Sequence, residues 1–324
     1  MSLATFGWTA ERQQAFAVHA AEGLIPGRVI GEHRTHYQVA TDHGELSATA
    51  PGRVRHAAAT HADLPGVGDF VALRPAPTDG PATIEAVLPR SSALIRKASG
   101  KETPQLLASN VDVVCIVTGL DGDYNLARLQ RFLTLVRDSG ATPVIIANKS
   151  DRATDIAAIR AEIIAAAPGV AVHMLSARAG LGVTEIEPYF DGNKTLALIG
   201  SSGVGKSTLI NKLLGRDAQA TQDVRAHDSR GRHTTTHRQL FLRPGGGSII
   251  DTPGMRGLEV WNEQANIDTG FEDVEVLALN CKFSNCRHQS EPACAVRAAL
   301  AAGTITAERV QAFVEAVAKV PRSR

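Results

Sequence analysis

The run Gly200-Ser201-Ser202-Gly203-Val204-Gly205-Lys206-Ser207-Thr208 constrains this chain more than any other segment. It fits G-x-x-x-x-G-K-[ST] and lies between TLALIG, an apolar run with the character of a strand, and KSTLINKLL, which has the period of a helix. The glycines let the backbone curl so that successive N–H groups point at phosphate oxygens. Lys206 then sets its charge against the β and γ phosphates, Ser207 is placed to ligate Mg²⁺, and the helix turns its N-terminal dipole toward the same anion.

The flanking pattern fits that reading. VDVVCIVTGL (111–120) is a buried-strand run, and NLARLQRFLTLVRDSG (125–140) is an amphipathic helix ending at Gly140. PVIIANKSD, VAVHMLSAR and GGSIIDTPG continue a series of apolar strands that run into turns, with helical segments between most of them. This alternation predicts a parallel sheet with helices on its faces.

Two of those turns carry a pattern suited to a guanine base. Asn148-Lys149-Ser150-Asp151 follows the strand PVIIA, and Ser176-Ala177-Arg178 follows another strand 25 residues beyond Asp151. A carboxylate at Asp151 accepts both the N1–H and the exocyclic amine of guanine. Adenine offers no donor at either place and would leave the carboxylate unpaired, at a cost of roughly 1–3 kcal/mol. The Ser176-Ala177 turn offers a backbone N–H for guanine O6. Alone, N-K-x-D is a weak signal, since four polar residues after a strand often form only an Asx-type turn; its company here strengthens it.

Two further segments are candidates for sensing the γ-phosphate. Asp251-Thr252-Pro253-Gly254 follows the strand GSII, where Asp251 can hold Mg²⁺ through a water and the Gly254 N–H can reach the γ-phosphate. Upstream, Thr234, Thr235 and Thr236 lie in a basic loop; one of them, with Thr235 the first choice, can complete the Mg²⁺ shell only while the γ-phosphate is present. Met255 stands where Ras-like enzymes carry the Gln that positions water, so His233 is the internal candidate for a catalytic role, against the alternative of an exposed loop histidine.

The order of these motifs is unusual. In Ras-type GTPases the P-loop comes first; here Asn148–Asp151 and Ser176–Arg178 precede it and Asp251–Gly254 comes last. Joining the old termini and cutting after D-x-x-G keeps every spatial neighbour, and the fold tolerates this because domain termini lie at the surface and often close together. The expectation is a circularly permuted GTPase domain.

Behind it, Cys281-x4-Cys286-x-His288-x5-Cys294 supplies three thiolates and one imidazole, a full tetrahedral set for one structural Zn²⁺ with no position left for catalysis. Buried free cysteines or a redox pair are the alternatives. The fourth cysteine, Cys115, sits mid-strand and reads as core.

At 324 residues the chain predicts two or three domains. The expected division is a helical extension over 1–24, an OB-type β-barrel over 25–90, a polar linker over 91–106, the permuted α/β P-loop domain over 107–262 and a mainly helical zinc domain over 263–324. The barrel rests on short β-type runs such as GRVIGEH and GDFVALRP, separated by Gly, Pro and Asp. Its Arg28, Arg34, Arg53 and Arg55 suggest nucleic-acid contact or a solvated basic face, and with few aromatics (Tyr37, Phe70) the contact is expected through phosphate or shape. Net charge is only +1, but residues 225–243 hold five arginines and three histidines against Asp228. Neither a secretory signal nor an 18-residue apolar span is visible, so the expected setting is the cytoplasm, with no membrane partner.

Together these residues resemble the bacterial ribosome small-subunit-dependent GTPase A family, on LPGVGDFVAL (64–73), LPRSSALIRKASG, the permuted motifs and the Cys-x4-Cys-x-His-x5-Cys segment. Family members also carry a hydrophobic residue where Met255 stands. The resemblance implies an OB-type barrel, a GTPase domain and a zinc domain, with GTP hydrolysis stimulated by the small ribosomal subunit during late maturation. It implies contact with that subunit and its rRNA, turnover of GTP to GDP, and Zn²⁺ and Mg²⁺ as metals; a monomer is expected. Two other readings stay open: a free-standing metabolic NTPase, and a non-catalytic RNA-binding module ordered by nucleotide. Because Gly254 and Cys281 are joined by a short connection, loss of the γ-phosphate is expected to change the zinc domain's grip on the ribosome.

Overall fold

A computed structural model describes residues 2–33, 36–76, 80–96, 104–121, 124–215 and 238–251, and toward the C-terminus 274, 277, 281, 286, 288, 291, 294–307 and 310–311. The chain divides into two compact units, Met1–Arg256 and Gly257–Arg324.

Five strands of the first unit close into a barrel: β1 (Ile25–His33), β2 (His36–Thr41), β3 (Gly44–Thr49), β4 (Phe70–Arg74) and β5 (Ala82–Val87). They pair in the order β1-β2-β3-β5-β4, and β4 returns to β1 through Ile25↔Leu73 to Arg28↔Phe70. Closure removes the free edges that a five-stranded sheet would otherwise expose. The interior is filled by Val29, Tyr37, Val39, Val71, Leu73 and Ile84. Gly27 is a packing requirement here, because a Cβ would stand 2.6 Å from Val39 Cγ1.

Next, β6 (Ala93–Arg96) pairs antiparallel with β7 (Gln105–Ser109). The segment expected to be a polar linker, 91–106, thus holds β6 and the start of β7, which form a two-stranded ribbon. Its sequence is polar overall, but the residues that pack (Leu94, Leu106, Leu107) are buried, and these few apolar positions decide the structure.

The remaining sheet is the α/β part: β8 (Val113–Gly119), β9 (Thr142–Asn148), β10 (Ala171–Met174), β11 (Thr195–Ile199), β12 (Gln239–Leu242) and β13 (Ser248–Asp251). In space they run β10-β9-β8-β11-β13-β12, all parallel except β12, which pairs antiparallel with β13. Every residue of β8 and β11 is buried, which is why both read as mainly apolar runs. The strand feeding the glycine-rich loop, β11, is central and lies between β8 and β13. Strands that precede and follow it in the chain are thereby its neighbours, as the permuted motif order requires.

Helices cover the sheet. After α1 (Ala10–Ala20) and the short α2 (Gly52–Ala57) come α3 (Leu126–Ser139), α4 (Ile156–Ala166) and α5 (Lys206–Leu214). α3 starts on the Asn125 side chain, which accepts the Arg128 N–H, and stops at Gly140 in the left-handed region, φ 84°. Its Leu129, Phe132, Leu133 and Val136 are buried, at the spacing of one helical face.

Barrel and α/β sheet are continuous, since β1 pairs with β12 at Gly31↔Gln239. A second tie is Arg28. Read from sequence as part of a basic face, it is only 1% exposed. Its guanidinium donates to the Phe6 carbonyl, to Thr195 Oγ1 at 2.8 Å, to the Asn110 carbonyl at 3.0 Å and to the Gly68 carbonyl at 3.2 Å, and it lies 4.6 Å from the Phe70 ring centre. Burial, with the nearby Arg12 charge adding to it, lowers its pKa to about 9. Arg28 is therefore no nucleic-acid contact; its four acceptors come from the N-terminal segment, the barrel, the connection between β7 and β8, and the start of β11. Arg53 and Arg55 are exposed, Arg53 pairing with Glu85; Arg34 lies outside the described residues.

The LPGVGDF stretch has its own explanation. Asp69 is fully buried and takes a two-point ion pair from Arg90, Nε to Oδ1 at 2.8 Å and Nη2 to Oδ2 at 2.7 Å. Arg90 also donates to the Ala62 and Leu64 carbonyls, so a desolvated charge pair is fully hydrogen-bonded.

In the second unit, α6 (Ala295–Ala301) follows Cys294 directly. Val274, Cys294, Val296, Ala299, Ile305 and Val310 form a small apolar cluster.

Candidate functional site

At the C-terminal end of β11 the chain turns through Gly200, Gly203 and Gly205, with φ of 142°, 78° and 98°. Gly200 and Gly205 are also required by contact. A Cβ at Gly200 would lie 2.1 Å from the Val117 carbonyl oxygen, and one at Gly205 would lie 2.2 Å from Asn148 Nδ2. The loop thus presses against the ends of both β8 and β9. Lys206 opens α5, and its Nζ donates to the Gly200 carbonyl at 2.6 Å and the Ser201 carbonyl at 2.5 Å. That ammonium is held against the loop's own carbonyls, and Gly205 offers no side chain to the first-turn N–H groups of α5.

Asn148 ends β9 and is 2% exposed. Its Nδ2 donates to the Val204 carbonyl at 2.7 Å, and its Oδ1 accepts the Ala177 N–H at 2.9 Å. One side chain therefore binds the glycine-rich loop to the Ser176-Ala177-Arg178 turn. This commits the Ala177 N–H within the protein.

Lys149 is left-handed, φ 64°, and its Nζ reaches Asp121 Oδ2 at 2.5 Å. The Ser150 N–H donates to the Leu175 carbonyl at 3.1 Å, tying this turn to the end of β10. Asp151 is exposed. The Ser176 hydroxyl, with lesser help from the Asp151 backbone N–H and the Arg152 and Arg178 charges, holds its carboxyl below the usual range against the opposing effect of desolvation, so it is ionised at neutral pH.

Asp251 closes β13 beside Leu198 of β11. The residues expected to meet base, phosphate and Mg²⁺ thus gather at the carboxyl ends of β9, β10, β11 and β13, where a doubly wound sheet opens its crevice. The donor types suit a hydrated magnesium nucleotide: the Ser207 hydroxyl is on the second residue of α5 and Asp251 ends β13, the strand beside β11. His233, Thr234 to Thr236, Thr252 and Gly254 lie outside the described residues.

The Cys281, Cys286, His288 and Cys294 donor atoms all lie within 4.8 Å of one another. The Cys281 and Cys294 sulfurs are 3.8 Å apart, and His288 Nδ1 is 3.6 Å from the first and 3.4 Å from the second. A tetrahedron with metal–sulfur bonds of about 2.3 Å and metal–nitrogen bonds of about 2.0–2.1 Å has edges of about 3.8 and 3.5 Å. These residues fit a tetrahedral metal ion. Burial raises the Cys281 thiol pKa, but the N–H groups of Val296 and Ala295 at the start of α6, with the neighbouring thiols, outweigh it and lower the value overall. Those N–H groups are the hydrogen-bond donors that a metal-bound thiolate needs. Burial lowers His288, keeping its imidazole neutral and able to ligate.

Asp121 was not singled out from the sequence. The signal available was its position, an acid just past the carboxyl end of the buried strand β8, one strand from the glycine-rich loop.

A family model described as RsgA GTPase matches residues 87–261. Small ribosomal subunit biogenesis GTPase RsgA 2 of Lactiplantibacillus plantarum is 46% identical over 291 residues, covering 90% of this chain and 82% of its own. Small ribosomal subunit biogenesis GTPase RsgA of Opitutus terrae is 44% identical over 319 residues, covering 95% and 87%. Among solved structures, YjeQ from Thermotoga maritima superposes with a TM-score of 0.54 at 26% identity, covering 93% of this chain and 100% of that one. YloQ, described as a circularly permuted GTPase, superposes with a TM-score of 0.51 at 26% identity, covering 93% and 97%.

Proposed function

The chain belongs to the RsgA GTPase family, and from that premise we propose that it binds the small ribosomal subunit and its rRNA and hydrolyses GTP during late maturation of that subunit. It is a GTP phosphohydrolase with a circularly permuted domain. The observation that carries the nucleotide assignment is Asn148, which joins the glycine-rich loop to the base-side turn through Val204 and Ala177. Phosphate and base sites are thereby built as one rigid object, and rigidity of this kind is what holds a γ-phosphate in line for attack.

In this reading the N–H groups of residues 200–208 and the Lys206 ammonium hold the phosphates, and Asp151 selects guanine while the Ser176-Ala177-Arg178 turn faces its O6. Ser207 and Asp251 hold Mg²⁺, which when bound neutralises charge on the β and γ phosphates. Thr235 and the Gly254 N–H sense the γ-phosphate, and His233 positions the attacking water. Cys281, Cys286, His288 and Cys294 hold one structural Zn²⁺; a Cys₃His set favours zinc over the oxygen-seeking Mg²⁺ and Ca²⁺. The protein acts as a monomer in the cytoplasm and leaves the subunit as its switch segments change state.

The test is GTP turnover measured with and without purified small ribosomal subunits. Strong stimulation supports the assembly role; equal turnover with bound subunits removes it and leaves a GTPase of other purpose.

A further inference from the structure

We propose that Asp121 is a positioning residue for the bound nucleotide, holding the Lys149 ammonium at the rim of the base and phosphate sites. The inference rests on the guanine-nucleotide reading above and adds a residue to it.

The geometry is specific. Lys149 adopts a left-handed backbone, φ 64°, which turns its side chain back over the end of β8. There its Nζ meets Asp121 Oδ2 at 2.5 Å, with both side chains mostly buried, and Arg152 Nη1 lies 3.9 Å from the same oxygen. The pair sits over Gly119: a Cβ there would stand 2.8 Å from Asp121 Oδ1 and 3.6 Å from Lys149 Nζ. Gly119 is in register with Asn148, and the Leu120 N–H donates to the Asn148 carbonyl at 2.8 Å. The residue before Asp121 is thus hydrogen-bonded to the one that ties the glycine-rich loop to the base-side turn. The Tyr124 N–H donates to the Asp121 carbonyl at 3.1 Å, and the Tyr124 hydroxyl donates to Glu162 Oε2 at 2.7 Å.

A lysine side chain loses considerable rotamer freedom when it is fixed against a ligand. Asp121 removes that freedom before the nucleotide arrives, and it offsets part of the positive charge that Lys149 and Arg152 bring to the crevice mouth. GTP and GDP share the part of the nucleotide that lies beside residues 148–151, so the effect falls on both equally.

The test uses the full chain and two variants, Asp121→Asn and Asp121→Glu, with GDP and GTP affinity measured by fluorescent-nucleotide titration and turnover measured alongside. Loss of a partly buried ion pair of this kind predicts binding of both nucleotides weakened by about three- to tenfold in Asp121→Asn. KM should rise with kcat unchanged, and Asp121→Glu should recover most of the loss. Lys149→Ala should lose at least as much, and adding Asp121→Asn to it should cost nothing further, because the two act through one contact. Wild-type affinity in Asp121→Asn overturns the proposal, as does a fall in kcat at unchanged KM or an additive double variant. Asp151→Asn, assayed with xanthosine diphosphate in the same series, checks the base assignment separately. If its preference does not shift while Asp121→Asn still weakens binding, the guanine assignment falls and the positioning role stands.

Discussion

Asn148 and Val204 are 56 positions apart in sequence, yet the Asn148 amide donates to the Val204 carbonyl at 2.7 Å. The contact matters because the same side chain also takes the Ala177 N–H, so both ends of the amide are used and its orientation is fixed.

Asn148→Ala removes both bonds from a buried position and leaves a carbonyl and an N–H unsatisfied, a loss of about 1–3 kcal/mol. Nucleotide affinity should fall further than stability does, because two separate loops lose their common anchor. Thermal unfolding together with GDP titration separates the two effects; a stability loss with intact affinity would remove the bridging role.

Ser176→Ala tests the electrostatics of Asp151. The Ser176 hydroxyl holds the Asp151 carboxyl below its ordinary range, so the ionised form persists to lower pH than an isolated aspartate allows. For a depressed carboxyl, an interaction that needs the charge is complete above the unperturbed pKa and is lost as pH falls through the lowered one. Without the hydroxyl, guanine-nucleotide affinity should begin to fall at a higher pH. An acid limb that stays at the same pH in the variant would show that Ser176 does not act on Asp151.

Arg28→Met keeps the bulk of the side chain and removes its donors. The Phe6, Gly68 and Asn110 carbonyls and the Thr195 hydroxyl then lose a partner together. A cost of about 3 kcal/mol or more is expected, which for a unit of this size lowers Tm by about 6–12 °C. Any RNA binding, measured per folded molecule, should be unchanged, since the side chain is buried. A specific loss of RNA binding at unaltered Tm would contradict the structural role.

One zinc per chain should copurify, measured by elemental analysis. Three thiols, those of Cys281, Cys286 and Cys294, should become reactive toward a thiol reagent after chelation, while Cys115, fully buried in β8, stays protected until global unfolding. Equal reactivity of the three thiols with and without chelator would remove the metal assignment.

Much of the site was legible because each part of it is short and contiguous. The glycine-rich loop, Asn148 to Asp151, Ser176-Ala177 and the Cys/His set each occupy a few consecutive or closely spaced positions, and local chemistry restricts which residues can do those jobs. The α/β pattern was legible for a similar reason, since strands buried on both faces are built mainly of apolar residues, as β8 and β11 are. The ribbon of β6 and β7 was not, because the few apolar residues that pack are diluted by polar neighbours.

Burial of a charge is a property of what surrounds it, and no local pattern encodes that. Arg28 looks like any surface arginine of a basic barrel; only the convergence of Phe6, Gly68, Asn110 and Thr195 makes it an internal tie. The same holds for Asp121, an unremarked acid until the left-handed Lys149 reaches back to it. The sequence alone determined which chemistry the chain carries and, through the order of its motifs, that the domain is permuted. Tertiary structure decided how those pieces are held, because the joining contacts link residues far apart in the chain and are made by side chains whose isolated preferences favour water.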